Sequence, residues 1–159
     1  MKVTDRSVPY EIHVKALSDK VTYDGSEHVL SGFETLEFEV EGQKYTLSGL
    51  SAEAKGTDAG VYPVTISGEA LVRDSAGNDV TSQFAIDKEN GTLRVTARKV
   101  TLRSASADKV YDGYALQDKR VNVEGDGFVR GEGATYDVTG SRTLRGSAEN
   151  SFTYALNAN

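Results

Sequence analysis

Leu36-Glu37-Phe38-Glu39-Val40 puts an apolar side chain at every second position, with a carboxylate between each pair. Successive side chains of a β-strand point to opposite faces, so this stretch reads as a strand with one buried and one wet face. The same period runs through Tyr10, Ile12, Val14 and Ala16, through Tyr62, Val64 and Ile66, through Leu93, Val95 and Ala97, and through Phe152, Tyr154 and Leu156. Sheets with one wet face are ordinarily antiparallel, so the expectation is a mainly β chain of small antiparallel sheets with little helix. Leu36, Phe38, Val40, Tyr62, Val64 and Ile66 should be core, with Glu37 and Glu39 in water. Turn chemistry separates the strands at Asp24-Gly25, Glu41-Gly42, Ala76-Gly77-Asn78, Asn90-Gly91, Asp112-Gly113 and Asp126-Gly127, where Gly or Asn can supply positive φ. The best helix candidate is Leu50-Ser51-Ala52-Glu53-Ala54-Lys55, with a Ser cap and a stop at Gly56.

The chain has 159 residues, enough for one domain or two small modules. Its apolar fraction is 38%, and with 16 glycines added it falls in the range of a globular chain, roughly 45–50%. Eighteen Lys and Arg against 24 Asp and Glu give a net charge of −6, which repels a phosphate backbone, so nucleic acid is not an expected partner. Zero Cys removes disulfides, thiolate metal sites and cysteine nucleophiles. No apolar stretch approaches the roughly 18 residues of a membrane helix, and Met1-Lys2-Val3-Thr4-Asp5 opens no signal peptide. No membrane insertion is expected in this segment.

The strongest internal signal is a repeat. Ala16-Leu17-Ser18-Asp19-Lys20-Val21-Thr22-Tyr23-Asp24-Gly25 matches Ala105-Ser106-Ala107-Asp108-Lys109-Val110-Tyr111-Asp112-Gly113 with one Thr inserted. Tyr45–Gly49 matches Tyr136–Gly140, and Gly56–Ile66 lies over Gly146–Leu156, pairing Tyr62 with Phe152, Val64 with Tyr154 and Ile66 with Leu156. Two tandem β modules are expected, residues 1–98 and 99–159, joined at Arg98-Lys99 without the Gly/Ser/Pro richness of a flexible linker. The second stops soon after Leu156, so it lacks a counterpart of the closing hairpin that holds Phe84, Ile86, Leu93 and Val95. Leu102, Val123, Val138 and Tyr154 should then be short of cover.

Constellations that could carry chemistry have plainer readings. His13 alternates onto the wet face with Glu11 and Lys15. Ser26, His28 and a nearby Asp assemble a triad only on paper, since no Gly-x-Ser-x-Gly elbow is present. Asp74-Ser75-Ala76-Gly77-Asn78-Asp79 crowds oxygen ligands but lacks calcium-loop spacing, and reads as a hairpin turn. Lys99 or Lys109 with Asn150 beside Glu149 could form an intramolecular isopeptide bond in a module that has no disulfide. In Tyr23-Asp24-Gly25 and Tyr111-Asp112-Gly113 the Asp can hydrogen-bond the backbone two residues on, the Gly takes positive φ and the Tyr buries its ring. These six residues, with Asp58 and Gly60, are structural turn elements. No catalytic, cofactor-binding or metal residue is assigned.

At these residues the chain resembles the YDG and MBG families of tandem repeats in large bacterial surface and secreted proteins. Module one carries Tyr23-Asp24-Gly25, Ser31-Gly32-Phe33, Asp58-Ala59-Gly60-Val61-Tyr62, Gly77-Asn78-Asp79-Val80-Thr81 and Asn90-Gly91-Thr92-Leu93; module two carries Lys109-Val110-Tyr111-Asp112-Gly113 and Gly125-Asp126-Gly127-Phe128. Module two departs at Ala148-Glu149-Asn150-Ser151-Phe152, where the Asp-Ala-Gly of Asp58, Ala59 and Gly60 is not kept. The resemblance implies β-grasp-like modules, strung in tandem into an extracellular stalk on the bacterial cell surface, with neighbouring repeats as partners. The expected role is a non-enzymatic structural spacer within a larger adhesin or secreted protein. The alternative is a module that itself binds a host glycan or protein through exposed aromatic rings.

Overall fold

The computed structural model describes residues 7–158 together with Lys2 and Thr4, and the chain divides into two compact units, Met1–Thr96 and Ala97–Asn159. The boundary falls two residues before the one read from the sequence. Unit 1 holds β1 (Tyr10–Lys15), β2 (Asp19–Thr22), β3 (His28–Ser31), β4 (Glu37–Val40), β5 (Gln43–Gly56), β6 (Gly60–Asp74), β7 (Phe84–Glu89) and β8 (Gly91–Thr96), with one 3₁₀ turn at Thr81–Gln83. Five of these form a sheet in the order β2-β8-β6-β5-β3, with β4 also paired to β5, while β1 and β7 make a separate pair. Glu41 and Gly42, at φ 51° and 75°, form the two-residue turn that sets Val40 opposite Gln43.

Three expectations are corrected here. The sheets are not all antiparallel: β1 runs parallel to β7 and β2 parallel to β8. Tyr10 faces Phe84, Lys15 faces Glu89, Asp19 faces Leu93 and Thr22 faces Thr96, so the two segments keep one register throughout. Alternation reports which face is buried and carries no information about the partner's direction. The long excursion through β3 to β6 supplies the crossover that a parallel pair requires.

Asn90-Gly91 is accordingly no hairpin turn, because β7 and β8 pair with different strands rather than with each other. Gly91 is needed for a close approach: a Cβ there would lie 1.9 Å from the Leu17 carbonyl oxygen. Asn90 Oδ1 accepts the Ile66 amide at 2.9 Å. The helix candidate at Leu50–Lys55 is the second half of β5. Leu50, Ala52 and Ala54 fit a period of two as well as a helix, a segment this short cannot nucleate one, and β3 and β6 offer ladders on both sides.

The core of unit 1 has two clusters. Ile12, Val14, Leu47, Val72 and Phe84 form one, against which Leu36, Phe38 and Val40 pack half-buried; Ala16, Ala52, Ala54, Val64 and Leu93 form the other, with Tyr62 and Ile66 against it. Glu37 and Glu39 face solvent. Val64 is fully buried, worth roughly 1.5–3 kcal/mol relative to exposure.

Unit 2 is two short antiparallel pairs: β9 (Val100–Ser104) with β10 (Val121–Gly125), and β11 (Ala134–Val138) with β12 (Phe152–Leu156). Among its described residues Val138 alone is a fully enclosed apolar side chain, so the expectation that it lacks cover is corrected. Val123 and Tyr154 are open, at 42% and 59% exposure, and Leu102 is half-buried. The Tyr45–Gly49 match does not carry its register across. Leu47 faces Val72, whereas its counterpart Val138 faces Phe152, the counterpart of Tyr62. The long β5–β6 ladder has no equal in unit 2, where residues 139–151 leave the sheet and bring β12 back directly onto β11.

Candidate functional site

The Tyr-Asp-Gly elements build the same turn in both units. Asp24 Oδ1 accepts the Ser26 amide at 2.8 Å and Asp112 Oδ1 accepts the Tyr114 amide at 2.9 Å, with Gly25 at φ 79° and Gly113 at φ 85°. Both carboxyls are held below their ordinary range, Asp24 chiefly by the Ser26 amide and Asp112 chiefly by the Lys109 ammonium 2.6 Å away. The tyrosines differ. Tyr23 is half-buried, with its amide on the Thr96 carbonyl at 2.8 Å, whereas Tyr111 is 65% exposed and does not bury its ring as expected. Thr96 ends β8, and no counterpart of β8 exists among the described residues of unit 2.

Asp58 and Gly60 frame a second corner. The Tyr62 hydroxyl donates to the Asp58 carbonyl at 2.9 Å, and its ring covers Gly56, where a Cβ would come within 2.3 Å of ring carbon. In unit 2 Phe152 has no hydroxyl to donate and instead meets Tyr136 edge-on at 6.4 Å between centroids. Asn150 stands where Gly60 stands in unit 1. Its Nδ2 donates to the Ala105 carbonyl at 2.9 Å and the Asp118 carbonyl at 2.8 Å, fastening three separate stretches, while its Oδ1 is buried without a hydrogen-bond partner among the described residues. Lys109, one of the two lysines considered for a cross-link to Asn150, has its ammonium 2.6 Å from Asp112 Oδ1. The loss of Asp-Ala-Gly at this position was the one signal in the sequence that could have marked Asn150 as a fastening residue. Beside it, Arg120 lowers the Asp118 carboxyl to about 2.

His13 lies on the wet face of β1, as its alternation requires, and bridges two carboxylates of β7: Nδ1 is 2.8 Å from Asp87 and Nε2 is 2.8 Å from Glu89. These contacts, Glu89 first, raise its pKa above the usual 6.5. His28 Nε2 sits 3.0 Å from Asp24 Oδ1, the oxygen that also takes the Ser26 amide, and the Ser26 hydroxyl bonds the same carboxylate. The carboxylate is thus between serine and histidine, whereas a triad needs the imidazole there.

The Asp74 carboxylate is spent inside its own turn. It accepts the Ala76 and Asn78 amides at 2.9 and 2.8 Å and the Asn78 side chain at 2.9 Å, and Arg73 closes onto the Gly77 carbonyl at 2.7 Å. No group of three His, Asp or Glu side chains among the described residues could hold a metal ion, and no described helix is long and apolar enough to cross a membrane. Two concavities lie in unit 2. A polar cleft of about 390 Å³ runs past Asn150, Asp118 and Arg142, and an apolar groove of about 370 Å³ is lined by Val100, Leu102, Phe128, Phe152, Tyr154 and Leu156. Compared with family models, curated proteins and solved structures, the chain matches none.

Proposed function

We propose that the chain is a non-enzymatic spacer segment of a bacterial surface or secreted protein, made of YDG/MBG-type, β-grasp-like units that follow neighbouring repeats outside the cell. The observation that carries this reading is the recurrence of one structural device in two successive units: an Asp–Gly turn whose carboxylate accepts the backbone amide two residues on. Carboxylates committed to their own backbone serve geometry. Screening the full chain against glycan and matrix-protein arrays tests the proposal. The expected result is no specific hit, and a hit abolished by a single surface aromatic substitution overturns it. A host glycan- or protein-binding role is favoured by one feature: Tyr111 and Tyr114, 65% and 76% exposed, flank the Asp112-Gly113 turn. Tyr114→Ser is the substitution that decides between the two readings.

A further inference from the structure

In unit 1 the segment Phe84–Thr96 does three things at once. It pairs with β1 through β7, pairs with β2 through β8, and covers β6 by setting Leu93 opposite Tyr62 and Gly91 opposite Val64. Unit 2 is open at all three corresponding places. Val100 and Leu102 are half-buried on β9, the strand that precedes Ala105 as β1 precedes Ala16, yet among the described residues β9 pairs with β10 alone. Asp108–Tyr111, the counterpart of β2, is not a strand, and Val110 there is 89% exposed. In unit 1 the partner of β2 is β8, so a missing β8 equivalent accounts for that loss. Tyr154 is 59% exposed, where its counterpart Val64 is fully enclosed. The apolar groove lies between these open edges, lined by β9 on one side and β12 on the other.

We infer that this groove is a docking site for an extended strand of the Phe84–Thr96 kind, added parallel to β9 and continuing past Asp108–Tyr111. The occupant carries alternating apolar residues for the groove, a glycine where it crosses from one partner to the next, and a carboxylate on the wet face. In unit 1 Lys15 meets Glu89 across the parallel pair at 3.9 Å; in unit 2 the wet face of β9 carries Arg103, 70% exposed and 3.7 Å from Glu124 of β10. The inference rests on the correspondence between the units that also underlies the spacer reading.

The test adds a synthetic peptide of sequence Asp79–Arg98 to the full chain and follows backbone hydrogen exchange. Amides of Val100–Ser104, Asp108–Tyr111 and Phe152–Leu156 should slow at least tenfold, and a Gly91→Val peptide should leave them unchanged. The same protection should appear in a chain extended after Asn159 by a second copy of Ser67–Arg98, and Tyr154→Asp should remove it. Unchanged exchange with both peptide and extension overturns the docking site. So does sedimentation of the unextended chain as a dimer with the β9 amides already protected, which would make a second copy the occupant. The two proposals fail separately, since an array hit overturns the spacer and leaves the exchange result as it stands.

Discussion

Replacing Gly91 by alanine adds one methyl group at the tightest backbone crossing of unit 1. The new Cβ would lie 1.9 Å from the Leu17 oxygen, 2.7 Å from its carbonyl carbon and 2.8 Å from the Ala16 oxygen, so Leu17 must retreat by about 1 Å to reach a tolerable contact. It cannot retreat freely. Its amide is held by the Gly32 carbonyl at 3.1 Å, the preceding Ala16 amide by Glu89 at 3.0 Å, and Ser18 Oγ accepts the Thr92 amide at 3.0 Å. Overpacking of this sort costs about 1–3 kcal/mol, and each hydrogen bond broken adds about 1 kcal/mol, so a loss of about 3 kcal/mol is expected. The control is Gly42→Ala, where φ is 75° and a Cβ meets nothing within 4 Å, leaving only the left-handed strain of about 1–2 kcal/mol. Urea unfolding followed by the methyl NMR signals of Val14 and Val64 reads unit 1 directly. Should Gly91→Ala unfold at the same urea concentration as Gly42→Ala, the close crossing of the two segments is wrong.

Val64→Asp buries an unpaired carboxylate at a fully enclosed position and should unfold unit 1, whereas Glu37→Lys on the wet face should stay within about 0.5 kcal/mol of the parent; circular dichroism melts distinguish them. His13 should titrate above 6.5 by NMR, since Glu89 and Asp87 favour its charged form. A raised folded-state pKa gives stability that is full below 6.5 and is lost as pH climbs through the raised value. The urea midpoint should therefore fall as pH rises above 6.5, and His13→Gln should flatten that fall; a His13 midpoint below 6.5 would refute the two-carboxylate bridge. Asn150→Ala strands the Ala105 and Asp118 carbonyls and should lower unit 2 stability by about 2 kcal/mol, measured by hydrogen exchange at Val138, with unit 1 unaffected.

Much of unit 1 was legible because one sheet face meets water, and Leu36 to Val40 or Tyr62 to Ile66 then spell out their own orientation. The direction of pairing was not legible. Tyr10–Lys15 and Phe84–Glu89 alternate identically whether they run parallel or antiparallel, and only the tertiary path between them decides. Asn90-Gly91 misled because glycine answers two different demands, positive φ and absence of a Cβ, and the residue name does not say which applies. Leu50–Lys55 misled because small residues at every second place also satisfy a helical pattern. Asp24 and Asp112 were readable because an Asx turn is made within four consecutive residues. Asn150 was not, since its two carbonyl partners lie far along the chain and no local pattern announces them.

The shared direction of Tyr10–Thr22 and Phe84–Thr96 gives unit 1 a particular response to load. Tension enters one segment from its amino end and leaves the other from its carboxyl end, so two strands lying side by side in the same direction are dragged lengthwise past each other. Every rung between them, from Tyr10 opposite Phe84 to Thr22 opposite Thr96, then bears force at the same moment, and none can open ahead of the rest as the teeth of a zip do. Resistance to forced opening is set by the unfolding barrier. This geometry places that barrier along the whole length of the paired segments.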